Sequence, residues 1–538
     1  MKKILNAIKA TLGCLNWKHE IAIFISLFAV VVAYQNLGDT YESEFGAHPD
    51  EAAHYVTGLM IRDYIAEGIP GHPMRFAEEY YDHYPKVALG NWPPFFYMIQ
   101  AAWTLPFSPS RTSVLLLMAF LTALLAQLIF HSAKKDFGPL LALFGTQLFL
   151  ALPLIQKYSS LVMTEIPIAL LAFIATLCFG KYLDDEKASR SIFFGLFASA
   201  AILTKGSGLY LAFVPPIALI LCRKFGLLKR VAFWSSAAIV AVLCAPWTLF
   251  TLDKAKAGWV DAPWSEFVRD SIPYYANKLN LALGAALLAL LFIGVAVRLF
   301  APAKRNELSG KWAAAGALMF AVLLLQPLVP CGMEPRHLVM ALPPIMMFTI
   351  AGGGWLIERL RSRLAPFPAF AAILTGVTIS FLIHPFSPKN KGYSGFEGPA
   401  AIVVSDPEFA ESIVLVSSDA SGEGMLISEV AMREKRMGHT VRRASKLLGD
   451  SNWSGSEYQS KLDSVDALIE LLEKEKIQIL ILDNSMRKAK RVEHHDLLQK
   501  AVATRPNRFM QLAQFDATRI DRIHGRAVRV YALIPTPR

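Results

Sequence analysis

Two carboxylates and a histidine stand together just after the first long apolar run of the chain. Asp50, Glu51 and His54 lie in the segment GAHPDEAAHYVTGLMIRDYIAEG, which begins at Gly46 and continues at helical spacing. Asp50 and His54 are four residues apart, so on a helix they share a face and could hold a general base or contribute to a metal site; an Asp–His pair without metal fits the same spacing. Carboxylates at a helix start also gain about 0.3–1 kcal/mol from the helix dipole, so simple helix stabilisation is the alternative.

Three further stretches place ionisable residues at the ends of apolar runs. Glu165 opens the run in VMTEIPIALL, Lys205 stands in LTKGSG between two short runs, and Glu334 and Arg336 stand in MEPRHLVMALPP. Each has a structural alternative: a helix start for Glu165, the setting of topology for Lys205, and a mutual ion pair for Glu334 and Arg336. The loop after the first run adds three weaker candidates: His48, Lys86 and Asn91.

Carboxylates and cations in this combination suit the transfer of a group to a hydroxyl. A carboxylate can remove the proton from an acceptor hydroxyl, while Lys and Arg neutralise the charge that develops on a departing phosphate. A site reached from lipid would suit a lipid-linked donor. Asp50 and His54 supply two metal ligands at most, so a divalent metal is left unassigned.

The composition places these residues in a membrane protein. The 538-residue chain is 54% apolar and only 18% charged, which excludes an ordinary soluble enzyme and indicates many membrane spans. Its net charge of +11 is carried by loops beside the apolar runs, where Lys and Arg set topology, so no nucleic-acid partner is needed to explain it. The five cysteines are scattered without paired spacing and are interpreted as packing residues.

Eleven of the twelve apolar runs are predicted to cross the membrane. The run at 94–107 contains a Pro-Pro pair and many aromatics and is too short for about 30 Å of hydrocarbon, so it is predicted to lie along the outer interface. The basic loops then share the cytoplasmic side with the N-terminus, as the positive-inside bias requires. The predicted spans lie at about 20–36, 112–131, 139–156, 162–182, 191–205, 209–222, 231–250, 281–300, 312–329, 337–357 and 366–385.

This topology places the unusual polar residues on one, outer face of the membrane. The runs at 191–205 and 209–222 are separated only by GSG, so they are predicted to form a hairpin whose limbs rise only about 21 Å. Lys205 is therefore predicted to lie below the outer surface, where an ammonium is costly without a role or a partner. The outer face also includes the loop with Asp50, the start of the span with Glu165, the connector 251–280 and the segment PCGMEPRH.

After about residue 398 the pattern changes to that of a small α/β domain. Strand-like runs (SIVLVSS, IQILILD, FMQLAQF, AVRVYALI) alternate with amphipathic stretches such as VDALIELLEKEK, and no GxGxxG or Walker-type loop occurs among them. The predicted organisation is a membrane domain at 1–397, with a first external loop at 37–92, and an extracytoplasmic α/β domain at 398–538. Whether that domain is a lid, an acceptor platform or a packing element is left open.

Several ordered motifs resemble those of the GT-C superfamily of membrane glycosyltransferases. The superfamily includes protein O-mannosyltransferases, the lipid A aminoarabinose transferase and the rhizobial lipopolysaccharide transferases. The motifs are, in order, HPDEAAHY, NWPPFFYMI, MTEIP, AAILTKGSG, APWTLF and EPRHLVMALPP. Their order and shared face over residues 20–385, rather than any single motif, carry the resemblance.

The resemblance implies a GT-C-like polytopic α-helical fold and roles for individual residues. Asp50 would be the catalytic base, Glu51 its neighbour and Glu165 the second acidic residue of the site. Lys205 and Arg336 would bind the donor phosphate. Further substrate-binding candidates are Glu334, His54, Lys86 and Asn91.

The chain also departs from the pattern of the superfamily. NW precedes the Pro-Pro pair where the aminoarabinose transferases carry a Lys, so Lys86 is only a candidate substitute, and His337 stands where a Tyr is common. Both departures concern substrate contacts. Some members use a divalent metal and others do not, so the resemblance assigns no metal.

The resulting prediction is an inverting glycosyltransferase of the bacterial inner membrane. It would move a hexose or pentose from a polyprenyl-phosphate donor to a hydroxyl of an external glycan, glycolipid or protein on the periplasmic face, in contact with membrane lipids. A secondary transporter is one rival and predicts an internal repeat, which the sequence does not display. A non-catalytic subunit of an envelope polysaccharide assembly system is the other, and in it the acidic pair would only stabilise a helix.

Overall fold

The protein is described by a computed structural model, which covers residues 17–88, 90–256, 260, 262–300, 308–361, 375–376, 391–434, 437–450, 458–517 and 527–535. The chain divides into two compact units. The first unit comprises residues 1–35, 118–160 and 164–389 and contains most of the apolar helices. The second comprises residues 36–117, 161–163 and 390–538, so the first loop and the C-terminal region pack as one body.

Helices make up most of the described chain. The α-helices used below are α1 (Trp17–Leu37), α2 (Glu51–Ala66), α3 (Pro73–His83), α4 (Phe95–Thr104), α5 (Arg111–Phe137), α6 (Pro139–Ala151), α7 (Pro153–Ser159), α8 (Glu165–Asp185), α9 (Ala188–Ile202), α10 (Val214–Cys222), α11 (Val231–Phe250), α12 (Leu252–Lys256), α13 (Trp264–Val295), α14 (Gly310–Leu325), α15 (Leu342–Arg361), α16 (Glu397–Ser405), α17 (Ala420–Arg433), α18 (Ala444–Leu447), α19 (Val465–Lys474) and α20 (Glu493–Thr504). Short 3₁₀ segments include Gly206–Phe213, Gln326–Leu328 and Pro335–Ala341.

The predicted multi-span membrane architecture is confirmed. Among the described residues, seven helical segments are long and apolar enough to cross a membrane, or eight if the bent pair α6 and α7 forms one span. The predicted run at 366–385 lies almost entirely outside the described residues, and the number of eleven spans stays a prediction.

The helix in the Pro-Pro run is too short to span. α4 has ten residues and rises about 15 Å, roughly half the thickness of the hydrocarbon. It belongs to the second unit and packs on α2, where Gln100 Nε2 donates to the carbonyl of His54 at 3.2 Å. The prediction that this run is not a span agrees with its length.

Two predicted elements differ from the structure because of backbone constraints. The run 139–156, predicted as one span, is bent by 66° between α6 and α7, since Pro153 lacks the amide hydrogen that would continue the helix. Much of the expected connector 251–280 is helical, because α13 begins at Trp264 and continues to Val295. Gly284 interrupts this helix with φ 70°, a conformation that glycine adopts without strain.

The predicted hairpin around Lys205 is formed by two short limbs. α9 has fifteen residues, and the returning limb consists of the 3₁₀ segment Gly206–Phe213 followed by α10. Gly208 lets the limbs approach closely, since a Cβ there would lie 2.6 Å from the amide nitrogen of Ile202. Lys205 therefore occupies a tight turn between limbs that are both shorter than the candidate spans.

The C-terminal region folds around a five-stranded mixed sheet. Its strands are β1 (Ile413–Ser417), β2 (Thr440–Arg443), β5 (Ile477–Asp483), β6 (Phe509–Asp516) and β7 (Ala527–Leu533), in the order β2-β1-β5-β7-β6; β3 (Gly449–Asp450) and β4 (Gln459–Ser460) form a separate pair. β1 pairs in parallel with β2 and β5, whereas β7 is antiparallel to β5 and β6. The four predicted strands are confirmed, and β2 is an additional edge strand.

Buried carboxylates join the first loop to this C-terminal region. Glu44 is buried at the N-terminus of α16 and accepts hydrogen bonds from the amides of Gly395, Phe396 and Glu397 at 2.8–3.2 Å. Burial and the charge of Glu429 raise the pKa of Glu44 to about 7. Arg111 Nη2 reaches the buried Glu429 at 2.6 Å. The second unit is thus held by specific polar contacts between distant parts of the chain.

The packing of α13 on α15 provides a test of the first unit. A Cβ added at Gly352 would collide with the carbonyl oxygen of Leu290, whereas one added at the neighbouring Gly353 would meet nothing within 4 Å. We expect Gly352→Ala to lower stability by about 1–3 kcal/mol, because the helices must separate.

The matched control is Gly353→Ala, which should leave the thermal midpoint in detergent unchanged or slightly raised, since alanine favours a helix over glycine. Equal midpoints for the two variants would contradict the close approach of α13 and α15.

Candidate active site

Asp50 begins α2 but does not cap it. Its backbone is helical at the N-cap position, and its side chain makes no capping hydrogen bond. The carboxylate is 19% exposed and lies 3.5 Å from His48 Nδ1. Asp50 therefore makes no side-chain cap, while its position at the N-terminus of α2 remains compatible with stabilisation by the helix dipole. The catalytic role predicted for Asp50 stays a prediction.

Glu51, next to it, is fully buried and holds the loop in place. Its Oε1 lies 2.7 Å from the ammonium of Lys391 and also accepts from the amide of Val162 at 3.3 Å. Its Oε2 accepts from the amide of Ala47 at 3.3 Å. A carboxylate with these donors and no exposure supports the turn before α2, and the catalytic role predicted for Glu51 stays a prediction.

His54 is buried among aromatic rings. Its Nδ1 lies 2.9 Å from the hydroxyl of Tyr97, and its ring packs 4.5 Å from that of Trp92, between centroids. Burial and the charge of Asp50 hold the pKa of Tyr97 well above its usual value. The structure thus gives His54 a packing role, while its predicted contact with substrate stays a prediction.

Two other candidates of the loop lie near its exposed side. Lys86 is half-buried, and its ammonium donates to the carbonyl of Pro49 at 3.3 Å, directly before Asp50. Asn91 is exposed in a turn, where its amide donates to the carbonyl of Ala88 at 3.1 Å. The structure therefore brings Lys86 next to Asp50, whereas the contact described for Asn91 is with Ala88.

The remaining predicted residues form a second group, within the first unit. Glu165 is the first residue of α8 and is 1% exposed, and Lys205 Nζ lies 2.6 Å from its Oε1. Arg336 Nε lies 3.8 Å from the same oxygen and 3.0 Å from Oε2 of Glu334. The structure thus brings together four predicted residues from three separate stretches of the sequence.

The recessed lysine, Lys205, has Glu165 as its partner. Two carboxylates and two cations compensate each other here, which removes most of the cost of burying charge. Lys205 and Arg336 keep 15% and 16% of their side chains exposed. The role in substrate binding predicted for Lys205 and Arg336 stays a prediction.

Two features of these groups were not predicted from the sequence. Lys391 stands in SPKNKGYSG, which reads as an ordinary polar loop, so nothing in the sequence signals its burial. Gln326 donates to Tyr275 and accepts from Tyr210 at 3.2 and 2.9 Å, and lies 3.2 Å from His337 Nδ1. The sequence feature that could have indicated this hydrogen-bond network is a polar glutamine inside the apolar run LLLQPLVP.

The described residues do not form a metal site. Within that part of the chain, no group of three or more His, Cys, Asp or Glu side chains is arranged to hold a metal ion. The pair formed by Asp50 and His54 adds no further ligand, since Nδ1 of His54 faces Tyr97.

Comparisons with known proteins bear on the class of the protein. A family model described as dolichyl-phosphate-mannose-protein mannosyltransferase matches residues 91–250, a range that includes Glu165 and Lys205. No curated protein matches the chain by sequence.

Solved structures share the fold over most of the chain. ArnT from Cupriavidus metallidurans, bound to undecaprenyl phosphate, is 14% identical with a TM-score of 0.59, and the match covers 96% of this chain and 98% of that one. The oligosaccharyltransferase of Archaeoglobus fulgidus, tethered with an acceptor peptide containing the NVT sequon, is 12% identical with a TM-score of 0.57, over 96% and 76%. The oligosaccharyltransferase AglB from Archaeoglobus fulgidus, in complex with an inhibitory peptide and a dolichol-phosphate, is 11% identical with a TM-score of 0.53, over 87% and 70%.

The architecture is that of a multi-span membrane protein with a sheet-containing C-terminal region, and its fold is the GT-C fold. The family model matches residues 91–250 of the 538, and the solved structures are similar to the chain in fold.

The buried pair of Glu51 and Lys391 can be tested by stability. We expect Lys391→Met to lower stability by about 3–5 kcal/mol, because it leaves the carboxylate of Glu51 buried without its cation. The double variant Glu51→Gln with Lys391→Met should recover part of that loss. The thermal midpoints of the single and double variants provide the measurement.

An exposed lysine supplies the control for this test. Lys187 is 68% exposed, so Lys187→Met should leave the midpoint unchanged. Strictly additive losses in the double variant would contradict the pairing.

Proposed function

We propose that the protein transfers a sugar from a polyprenyl-phosphate donor to a hydroxyl of an external glycan, glycolipid or protein. The observation that carries the proposal is the carboxylate of Asp50, which begins α2 without capping it and stays partly exposed in a chain of the GT-C fold. ArnT binds undecaprenyl phosphate and AglB binds a dolichol-phosphate, which supports an isoprenoid phosphate as carrier of the sugar.

In the proposed reaction, Asp50 acts on the acceptor hydroxyl, and Lys205 and Arg336 act on the donor phosphate. Asp50 accepts the proton of the acceptor hydroxyl as its oxygen forms a bond to the anomeric carbon of the sugar. The bond from that carbon to the phosphate oxygen breaks, and the phosphate keeps the electron pair. Lys205 and Arg336 neutralise the charge on the released polyprenyl phosphate. A single displacement of this kind inverts the configuration at the anomeric carbon.

Glu165 has a supporting role in this reaction. Its carboxylate lies 2.6 Å from Lys205 and 3.8 Å from Arg336, which keeps both cations in place before the donor arrives. Glu334 does the same for Arg336. The cations are thus already oriented, which lowers the cost of reorganisation when a phosphate binds.

The proposed setting is the bacterial inner membrane. The positive-inside distribution of Lys and Arg supports a cytoplasmic N-terminus and a periplasmic location for Asp50 and the C-terminal domain. An undecaprenyl-phosphate sugar would be the donor there. The transferred sugar is a hexose or a pentose, and its acceptor carries a free hydroxyl.

Asp50→Asn tests the base. The amide keeps the size of the side chain but cannot take up the proton, so transfer should fall on the order of 10²–10⁴-fold with the thermal midpoint unchanged. The measurement is release of undecaprenyl phosphate from a panel of undecaprenyl-phosphate hexoses and pentoses, with cell-envelope extract as acceptor.

Asp82 provides a matched control, because it is exposed in the same unit. Asp82→Asn should retain wild-type release. Near-normal turnover in Asp50→Asn would show that the base lies elsewhere.

Lys205→Met tests the phosphate contact. Loss of a charged hydrogen-bond donor should weaken donor binding roughly 10–100-fold. Lys205→Arg should restore only part of it, because the planar guanidinium differs in reach and geometry from an ammonium. The effects of Lys205→Met and Arg336→Met should be non-additive if both bind one phosphate.

Binding of undecaprenyl-phosphate sugars to each purified variant, measured beside turnover, distinguishes this role from a structural one. Lys187→Met is again the control. Unchanged donor binding in Lys205→Met would make this lysine only the structural partner of Glu165.

A further inference from the structure

Lys86 lies at the start of the helix that carries Asp50. Its ammonium donates to the carbonyl of Pro49 at 3.3 Å, one residue before Asp50. Its side chain is half-buried, so part of its stem is enclosed by the surrounding protein. The contact fixes a cation beside the turn that presents the proposed base.

The C-terminal region encloses this lysine through α17. A Cβ added at Gly424 would lie 3.0 Å from Cβ of Ala52 and 3.0 Å from Cε of Lys86, with Nζ at 3.4 Å. The missing side chain at position 424 therefore makes room for the stem of the lysine and for the first turn of α2. A small residue is required at this point of α17 if Lys86 is to keep its position.

The charges around Lys86 come from both parts of the second unit. Burial and the positive charge of Arg443 lower the pKa of Lys86 to about 7, and the negative charges of Glu423, Asp50 and Asp419 act in the opposite direction. Glu423 is itself buried and bound by Arg443 at 2.8 Å.

Two other titratable groups face Asp50. His48 lies 3.5 Å away on the preceding loop, and Tyr97 on α4 senses the charge of Asp50. Tyr97 is protonated near neutral pH, as an unperturbed tyrosine is, and burial and the charge of Asp50 raise its pKa further. Tyr97 therefore adds no charge beside Asp50, whereas the charges of Lys86 and Asp50 act on each other.

We propose that Lys86 is a positioning residue for Asp50: it fixes the turn through the carbonyl of Pro49, favours the ionised carboxylate by its charge, and is held there by α17. The proposal rests on the function proposed above, in which Asp50 is the base. It also assigns a role to the C-terminal domain, which the sequence left open as a lid, platform or packing element. The domain acts as the support of the base.

The positive charge of Lys86 favours the ionised form of Asp50. A positive neighbour lowers the pKa of a carboxyl group, so its removal must raise the pKa of Asp50. Lys86→Met should therefore move the acid limb of the pH profile for donor turnover upward by about one pH unit. Lys86→Arg keeps the charge and should keep the limb where it is. The charge of Lys86 itself is lost as pH rises through about 7, so its influence is greatest below neutral pH.

A labelling experiment on the full-length protein tests this directly. A carbodiimide with glycine ethyl ester modifies carboxyl groups in a manner that depends on their protonation, and mass spectrometry follows the peptide that contains Asp50 as pH varies. We expect the labelling midpoint to rise by about one unit in Lys86→Met and to stay unchanged in Lys86→Arg. Gly424→Val should also raise the labelling midpoint of Asp50, because its side chain would displace Lys86. If the valine variant does not fold, Gly424→Ala, which has a smaller side chain, replaces it in the test.

Lys446→Met is the matched control. Lys446 is exposed and feels the charges of Glu423 and Arg443, as Lys86 does, so its removal should leave the midpoint for Asp50 unchanged. The labelling needs neither donor nor acceptor, so it remains informative even if Asp50→Asn retains turnover and the proposed function fails.

Two results would overturn the proposal. An unchanged labelling midpoint in Lys86→Met together with a raised KM for the donor would make Lys86 a donor ligand. An unchanged midpoint with unchanged kinetics would leave Lys86 a packing residue only. Loss of turnover in Asp50→Asn alongside either result would leave the proposed function intact.

Discussion

The ion pair of Glu51 and Lys391 is the contact on which the arrangement of the second unit depends. Both side chains are almost fully buried, so each charge needs the other. Glu51 also accepts from the amide of Ala47, and Lys391 donates its own amide to the carbonyl of Gly38. One pair therefore fixes both ends of the loop that precedes α2, and the position of Asp50 follows from it.

The same physical rule organises the membrane unit. A cation among apolar helices is tolerated when a carboxylate pairs with it, and Glu165 pairs with both Lys205 and Arg336. This compensation removes most of the cost of burying the charges. The two cations that the proposed function assigns to the donor phosphate are thus the ones that the protein already pairs with Glu165.

Much of the fold could be predicted from the sequence because its signals are local. Apolar runs of about twenty residues identify spans, and β-branched runs such as the one that ends at Asp483 identify buried strands. The bend between α6 and α7 was not predicted, although Pro153 marks it. Hydropathy identifies the extent of an apolar run but not the direction of its helix axis. β2 was missed because its sequence, TVRR, is mostly polar, and it forms an edge strand through backbone pairing with β1.

The candidate site was predictable only where a residue is unusual for its surroundings. Lys205 and Glu165 were found because charges inside apolar runs are costly. Lys391 and Gly424 were not found from the sequence, because each looks ordinary in its own segment. Each acts through a contact with a residue more than three hundred positions away. Long-range pairing of this kind leaves no trace in a single sequence.

That long separation also bears on how the chain reaches its folded state. Glu51 and Lys391 are 340 positions apart, and Glu44 is 351–353 positions from the amides that it binds. During synthesis the first loop leaves the ribosome long before its partners exist, so two carboxylates destined for burial remain hydrated until the last third of the chain arrives. Assembly of the turn that contains Asp50 is therefore a late event in biogenesis, and a chain that stops before residue 391 would carry Asp50 without the structure that orients it.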